Sequence, residues 1–253
     1  MSNQVITNSM PIGRAGAITR SGNVAIESFL QSSTLPLLGY GLPFAIDTSV
    51  ITGIVDTHSA SDVAGFLCRP YPQLAASNED IGTATPPVYP AILSGLKSGY
   101  IAVALQHGTS AKGGKVFVRL AATSSTRIQG GIEAAAAAAV TDPAIDGTGT
   151  GTIACTIDDA AVIVPGTYVV TVLTTSGTAA VSVIDPNGNR LNDGKIGTAY
   201  TAQGLTFTIT DGGTMTAADT FSPVVSLTTE AIPGAKFTGI TAAGAVAEIA
   251  YNV

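Results

Sequence analysis

Residues 205–211 read LTFTITD, and their alternation decides the fold class. Leu205, Phe207 and Ile209 fall on one side of an extended chain and Thr206, Thr208 and Thr210 on the other. That period of two belongs to a half-buried strand. Similar short runs rich in Val, Ile and Thr lie on both sides: IAVAL (101–105), KVFVRLA (115–121), TYVVTVLT (167–174) and AAVSVID (179–185). Gly, Pro, Asn or Asp punctuates them, as in antiparallel strands joined by turns. Short strands at this spacing predict a sandwich or barrel.

One stretch has helix-forming composition, IEAAAAAAV (132–140). Alanine favours helix, but so short a run without an amphipathic stripe is marginal, and Thr141-Asp142-Pro143 would stop it. It reads as a small-residue segment leading into a linker, TDPAIDGTGTGT. A second joint is expected near Pro233-Gly234, within TTEAIPGAKF.

Charge changes at the same places. Between residues 141 and 231 nine acids face only Arg190 and Lys195, a net of −7, whereas the remainder carries nine Lys and Arg against eight acids, a net of +1. The segments expected are therefore a body, 1–140 plus 232–253, and an inserted acidic β-sandwich, 141–231. Within the insert, TYVVTVLT, AAVSVID, LTFTITD and DTFSPVVSL supply the strands.

Only 11% of the residues are charged and 45% are hydrophobic, with a mean hydropathy of +0.40. A surface so poor in charge suits coverage by a partner, because interface cores exclude charged residues. The sequence pI near 4.7 and the lack of a basic stripe argue against nucleic acid. Gly, Ser, Thr, Asp or Pro interrupts every apolar run before about 18 residues, so no membrane span is expected. MSNQVITNSMPIGRAG lacks the pattern of a secretory signal. Cys68 and Cys155 form no metal or redox spacing and read as free buried thiols, in keeping with a reducing cytoplasm.

DPNGNRLNDG (185–194) places Asp185, Asn187 and Asn189 like the first ligands of a calcium loop. The sixth and twelfth positions, Arg190 and Ile196, are not the Gly and Glu that such a loop needs. Pro186, Asn187 and Gly188 read instead as a turn. GTSAKGGK (108–115) resembles a phosphate loop, but Val116 stands where a hydroxyl is required, so it reads as a hairpin turn. His58 and His107 belong to no metal-ligand pattern and are expected in solvated loops. With no nucleophile elbow either, the expectation is a non-enzymatic chain with no cofactor and no metal site.

PIGRAGAITR (11–20), GFLCRPYP (65–72), GYIAVAL (99–105), KGGKVFVRLA (112–121), GGIEAAAA (130–137) and AEIAYNV (247–253) occur in an order that resembles the structural cement, or head-decoration, proteins of tailed bacteriophages. The segment between the joints is similar to an accessory β-domain of phage head and tail proteins. Its usual Gly-Asp-x-Phe turn reads Ala218-Asp219-Thr220-Phe221 here. The resemblance implies an all-β fold: a jelly-roll-like sandwich body with a smaller immunoglobulin-like sandwich insert. It implies a virion protein, assembled in the host cytoplasm, that lies on the outer capsid surface across seams of the major capsid protein and associates as a homodimer or homotrimer.

Arg14, Arg20, Arg69 and Arg119 are the arginines of the resembling segments and are named as capsid or oligomer contacts, with ordinary salt bridges as the competing reading. Tyr71 and Tyr251 are named beside them, against core packing. SNQVITNSM reads as an arm that orders on the lattice or a neighbour, or as a disordered tail. The alternative function is a tail or baseplate protein whose insert binds a weak host-surface ligand, a glycan, through Tyr168 and Tyr200.

Overall fold

The structure is a computed structural model of the chain and describes residues 13–70, 85–174 and 180–253. The expected arm and Tyr71 lie outside the described residues. The fold is all-β: the described residues form strands and one 3-10 turn, Ala60–Asp62, with no α-helix among them. Two compact units divide the chain, Met1–Ala135 with Thr229–Val253, and Ala136–Thr228. By these bounds the second unit holds eight aspartates against Arg190 and Lys195, a net of −6, so the first unit is formally neutral.

In chain order the first unit contributes β1 (Ala25–Gln31), β2 (Pro43–Asp47), β3 (Val50–Gly53), β4 (Gly65–Leu67), β5 (Ile92–His107), β6 (Lys115–Arg119) and β7 (Ile132–Glu133). The second contributes β8 (Ala138–Val140), β9 (Gly151–Ile157), β10 (Gly166–Thr167), β11 (Val169–Val172), β12 (Ala180–Ile184), β13 (Gly194–Lys195), β14 (Tyr200–Ala202), β15 (Leu205–Asp211), β16 (Thr220–Phe221) and β17 (Val224–Leu227). β18 (Thr229–Phe237) and β19 (Val246–Tyr251) belong to the first unit again.

In the first unit the sheet runs β1-β3-β2-β4-β5-β19-β18-β6-β7, with further pairings β1–β5 and β5–β7. The ladder therefore closes twice, into two five-stranded rings that share β5. Closure leaves few unpaired strand edges. The first half of β5 pairs with β1 and β4, and the stretch from Gly99 to Ala104 pairs with β19. Partners change at Gly99, whose φ of +135° lets the long strand bend.

Each ring has its own apolar cluster. Phe44, Ile51, Leu67 and Leu93, with Phe29 at the edge, come from the five strands of the first ring. Ile101, Val116, Ile132, Phe237 and Ile249 come from those of the second. Phe44 is fully buried because glycines face it: a Cβ on Gly95 would sit 2.5 Å from its Cζ, and one on Gly65 2.7 Å.

The second unit stacks three small sheets, ordered β10-β17-β8, β13-β12-β11-β16 and β14-β15-β9, around Tyr168, Val170, Val183, Phe207 and Phe221. In β15 Leu205, Phe207 and Ile209 point inward and the threonines do not, as their alternation requires. β9 meets β15 along its whole length, from Ile157 opposite Leu205 to Gly151 opposite Asp211.

Three local expectations are corrected. The stretch 141–152 is no free joint: Thr141 N–H donates to Val224 O at 3.1 Å, and Asp146 and Thr220 exchange two backbone bonds of 2.8 Å. Extended Thr-rich backbone can pair even when glycines interrupt it. Pro233-Gly234 lies inside β18, at a bulge where the register with β6 shifts between Ala231 and Lys236, so this too is sheet. The turn at Ala111–Gly114 exists, with Gly113 at φ +77°, but it closes no hairpin, because β19 and β18 lie between β5 and β6. The IEAAAAAAV stretch contains β7 and β8.

Candidate functional site

Beside β5 runs the extended segment Ala15–Arg20. Gly16 N–H donates to Ala102 O at 2.7 Å, Ala102 N–H to Ala17 O at 2.9 Å, and Thr19 N–H to Tyr100 O at 3.1 Å. Two glycines allow the segment to lie so close to the preceding loop. A Cβ on Gly16 would meet Tyr40 Cβ at 2.6 Å, and one on Gly41 would meet Gly16 N at 2.8 Å; both residues have positive φ.

This segment gathers three of the predicted arginines. Arg69 N–H donates to Gly16 O at 2.8 Å and its Nε to Ala15 O at 3.2 Å, which sets the guanidinium 4.7 Å above the Tyr40 ring. Burial lowers the Arg69 pKa; the Tyr40 hydroxyl counters this and nearby Arg14 adds to it. Arg14 itself is exposed at the turn Arg14–Ala17. At the other end Arg20 grips Glu248 through Nε (3.1 Å) and Nη2 (2.5 Å) and lies 4.1 Å over the Tyr100 ring. Burial would raise the Glu248 pKa, but hydrogen bonds from Arg20, Thr19 and Thr238 outweigh it and hold the carboxyl below its usual range. Two guanidiniums, Arg20 and Arg69, are thus stacked on tyrosines, Arg20 with Glu248 as its ion-pair partner; exposed guanidinium groups suit carboxylates and polar main chain on a partner.

The other two described residues of the set are elsewhere. Arg119 is 8% exposed, donates from Nη2 to Ala122 O at 2.9 Å, and lies 3.8 Å from the Glu133 carboxylate. Tyr251 is 4% exposed; its hydroxyl donates to Val63 O at 3.0 Å and its ring meets Phe66 edge-on at 5.1 Å. Both side chains make contacts inside the first unit.

Glu133 is a feature the sequence did not announce. It is fully buried on β7, takes a two-pronged pair from Arg127 (2.8 and 2.5 Å), and has His107 at 3.8 Å. No spacing marks it, because its partners come from β5, β6 and a loop. His107 ends β5 and is not a loop residue, while His58 is half-buried and accepts Val55 N–H at Nδ1. Burial pushes the Cys68 and Cys155 thiols each up to about 12, with the Asp142 carboxylate adding to the effect at Cys155. Neither is poised as a nucleophile.

The polar loop after β12 spends its oxygens internally. Buried Asp185 accepts from Asn189 Nδ2 (3.1 Å), Asn189 N–H (2.8 Å), Gln203 Nε2 (3.3 Å) and Asn187 N–H (2.9 Å). Burial alone would raise its pKa, but these donors hold it below the usual carboxylate range. Gly188 N–H donates to Asp185 O with Gly188 at φ +82°, so this is a turn. No cluster of three or more metal-ligating side chains occurs among the described residues. Tyr168 is fully buried and the Tyr200 ring stacks 4.8 Å from Phe207, so Tyr168 offers no surface to a glycan.

Several large apolar side chains of the first unit stay exposed. Ile92 and Val88 are each 76% exposed and Leu38 65%; Leu30, opposite Ile92 on β1, is also open. Like the stacked arginines, they suit contact with another protein.

No curated protein and no solved structure matches the chain. A family model described as XM1 gp53 minor capsid protein matches residues 3–183, through most of the first unit's leading segment and into the second unit as far as β12. That is well over half of the sequence, and the chain belongs to the XM1 gp53 minor capsid protein family.

Proposed function

We propose that this capsid-family protein is a decoration, or cement, protein that binds the outer surface of a phage head across capsomer seams. The observation that carries the reading is a formally neutral unit that exposes Ile92, Val88 and Leu38 and also carries two arginines, Arg20 and Arg69, stacked on tyrosines. A neutral body can crowd on a lattice without self-repulsion, and its apolar and guanidinium groups suit the major capsid protein as partner. The acidic segment, 141–231 in the sequence reading, is an inserted domain that stays in solvent and keeps the particle soluble. The protein works as a homodimer or homotrimer and performs no catalysis.

The mechanism is linkage. A protein that binds the assembled shell and not its separated subunits stabilises the shell by RT ln(1 + [L]/Kd) at each site. Contacts on both sides of a seam must break before capsomers part under internal DNA pressure. Arg14, Arg20 and Arg69 are the proposed contact residues, with Tyr71 beside them in sequence.

The test is co-sedimentation with expanded shells that lack the protein, over a range of concentrations. Saturable binding at a fixed ratio to the major capsid protein, with a raised shell melting temperature, is expected. Binding to tails or host cells without binding to shells would overturn the reading and favour the tail or baseplate alternative.

A further inference from the structure

One strand edge of the first ring is open. Ser32 N–H donates to Ile51 O at 2.9 Å and Gln31 N–H to Ala91 O at 3.0 Å, so even-numbered residues here turn their backbone groups toward the β3 side and odd-numbered ones toward β5. The Ser94 carbonyl, opposite Ser28, accordingly accepts Cys68 N–H at 2.8 Å from the far side of β5. The register is regular from Ile26 onward, so Ile26 and Ser28 also direct their N–H and C=O groups to the β3 side. Yet β3 pairs only with Leu30 and Gln31, because its hairpin with β2 turns at Thr48–Ser49. No described residue bonds the outward backbone groups of Ile26 and Ser28, and Ala25 through Ser28 are exposed.

Such an edge is a template for one more strand, and the side chains say which kind. Ile26 (46% exposed) and Leu30 (37%) share one face, with Ile92 (76%) opposite Leu30. Glu27 projects on the other face and enters no ion pair among the described residues. A second copy is a poor occupant. A two-fold antiparallel pair that joins Ile26 to Ser28 would set two Glu27 carboxylates directly opposite each other, where like charges repel. Moving the axis to Ser28 would drive Ile26 of the copy into the place that β3 holds beside Leu30. A short strand of another protein, with Lys or Arg opposite Glu27 and apolar residues on either side, meets neither obstacle.

We propose that the open edge of β1 takes a short strand of the major capsid protein, hydrogen-bonded to Ile26 and Ser28, with a basic side chain against Glu27 and apolar ones against Ile26 and Leu30. The proposal rests on the cement reading and adds a main-chain contact to the arginines named there.

The parent and two variants are titrated against expanded shells that lack the protein. Ser28→Pro removes an N–H that points to the open edge and leaves the ladder with β5 intact. Glu27→Lys reverses the charge at its centre. Each is expected to bind shells about tenfold more weakly, with little change in the melting temperature of the free protein. Amide exchange of the β1 peptide in the parent is expected to slow several-fold on shells. Parent-like binding by both variants, or unchanged exchange on shells that the parent saturates, would overturn the edge contact and leave the cement reading standing. No binding by the parent would sink both together. Slow exchange in the free protein that depends on its concentration would assign the edge to a second copy, which also overturns the proposal. If Ser28→Pro does not fold, Glu27→Lys and the exchange measurement decide.

Discussion

A side chain on Gly147 would fall on Oδ1 of Asp219, and the two residues fit only because the glycine has none. Asp219 is 2% exposed and accepts Thr216 N–H (2.6 Å), Thr216 Oγ1 (2.7 Å), Thr148 N–H (3.1 Å) and, at 3.4 Å, Gly149 N–H. A stretch that reads as a loose Gly/Thr linker is thus wrapped around one carboxylate. Just before it, Ala218 has φ +77°, where glycine is the favoured residue. Ala218→Gly is therefore expected to stabilise the protein by about 1 kcal/mol, because the native backbone there is strained for alanine. A rise in the denaturant midpoint with an unchanged slope would bear this out; a fall would mean the turn gains nothing from glycine.

Acid should loosen the same unit. The Thr216, Thr148 and Gly149 donors hold the Asp219 carboxyl below its usual range against the opposing effect of burial, and Asp185 is held down likewise. A carboxyl depressed in the folded state binds protons more readily when unfolded. Its stabilisation is complete above an unfolded pKa of about 4 and is lost as pH falls through the lower folded value. The melting temperature is expected to be flat with respect to these groups above about pH 5 and to decline below pH 4. Asp219→Asn should melt lower at neutral pH and show a shallower acid decline; a parallel decline would remove Asp219 from the explanation.

Gly95→Ala tests the packing of the first ring. The added methyl would sit 2.5 Å from Phe44 Cζ and 2.9 Å from Phe29 Cε2, and the fully buried Phe44 ring lies inside the closed sheet while Phe29 is at its edge. Overpacking of this kind costs about 1–3 kcal/mol. Chemical denaturation measures it, and a loss under about 0.5 kcal/mol, the usual level of a surface substitution, would show that the ring relaxes freely.

The second ring depends on its buried charge. Removing the carboxylate with Glu133→Ala leaves the Arg119 and Arg127 guanidiniums without their common acid. Breaking one side of a buried pair costs about 3–5 kcal/mol, reduced here because Arg127 is about one quarter exposed. A loss near 3 kcal/mol is expected in urea. Restoring the ladder with Glu133→Val and Arg127→Leu together should recover part of it. If the double variant is no better than the single one, the charge balance is not what matters.

The strands were legible because a period of two survives in the bare sequence: LTFTITD in β15 and KVFVR in β6 needed no partner to be recognised. Closure was not legible. Nothing local in ILSGLKSGYIAVALQH says that one strand serves two rings, since the pairing partners of Leu96 and Ile101 come from β1, β4 and β19. The pairing of the two Gly/Pro-bearing stretches was hidden for a related reason. Gly and Pro mark turns in a local reading, yet Gly149 makes room for a carboxylate and Pro233-Gly234 sits in a bulge, which are tertiary facts. Of the arginines, Arg14, Arg20 and Arg69 all lie at the Ala15–Arg20 segment, which runs against β5 and accepts Arg69 N–H at Gly16 O. Arg119 was indistinguishable from them by type, and only its inward direction on β6 separates it.

That separation gives the last prediction. Arg14 is exposed at the turn Arg14–Ala17, close enough to Arg69 to lower its pKa, whereas Arg69 holds Ala15 O and stacks on Tyr40. The variant Arg14→Ala should therefore weaken binding to expanded shells at least tenfold while shifting the melting temperature little. Tyr251→Phe should do the reverse: it removes a buried hydrogen bond to Val63, costing about 1 kcal/mol of stability, and leaves shell affinity unchanged. Titrating both variants against the same shell preparation, with melting curves of the free proteins, separates surface from core. Equal shell affinity for the arginine variant and the parent would remove this segment from the contact, whatever the rest of the unit does on the capsid.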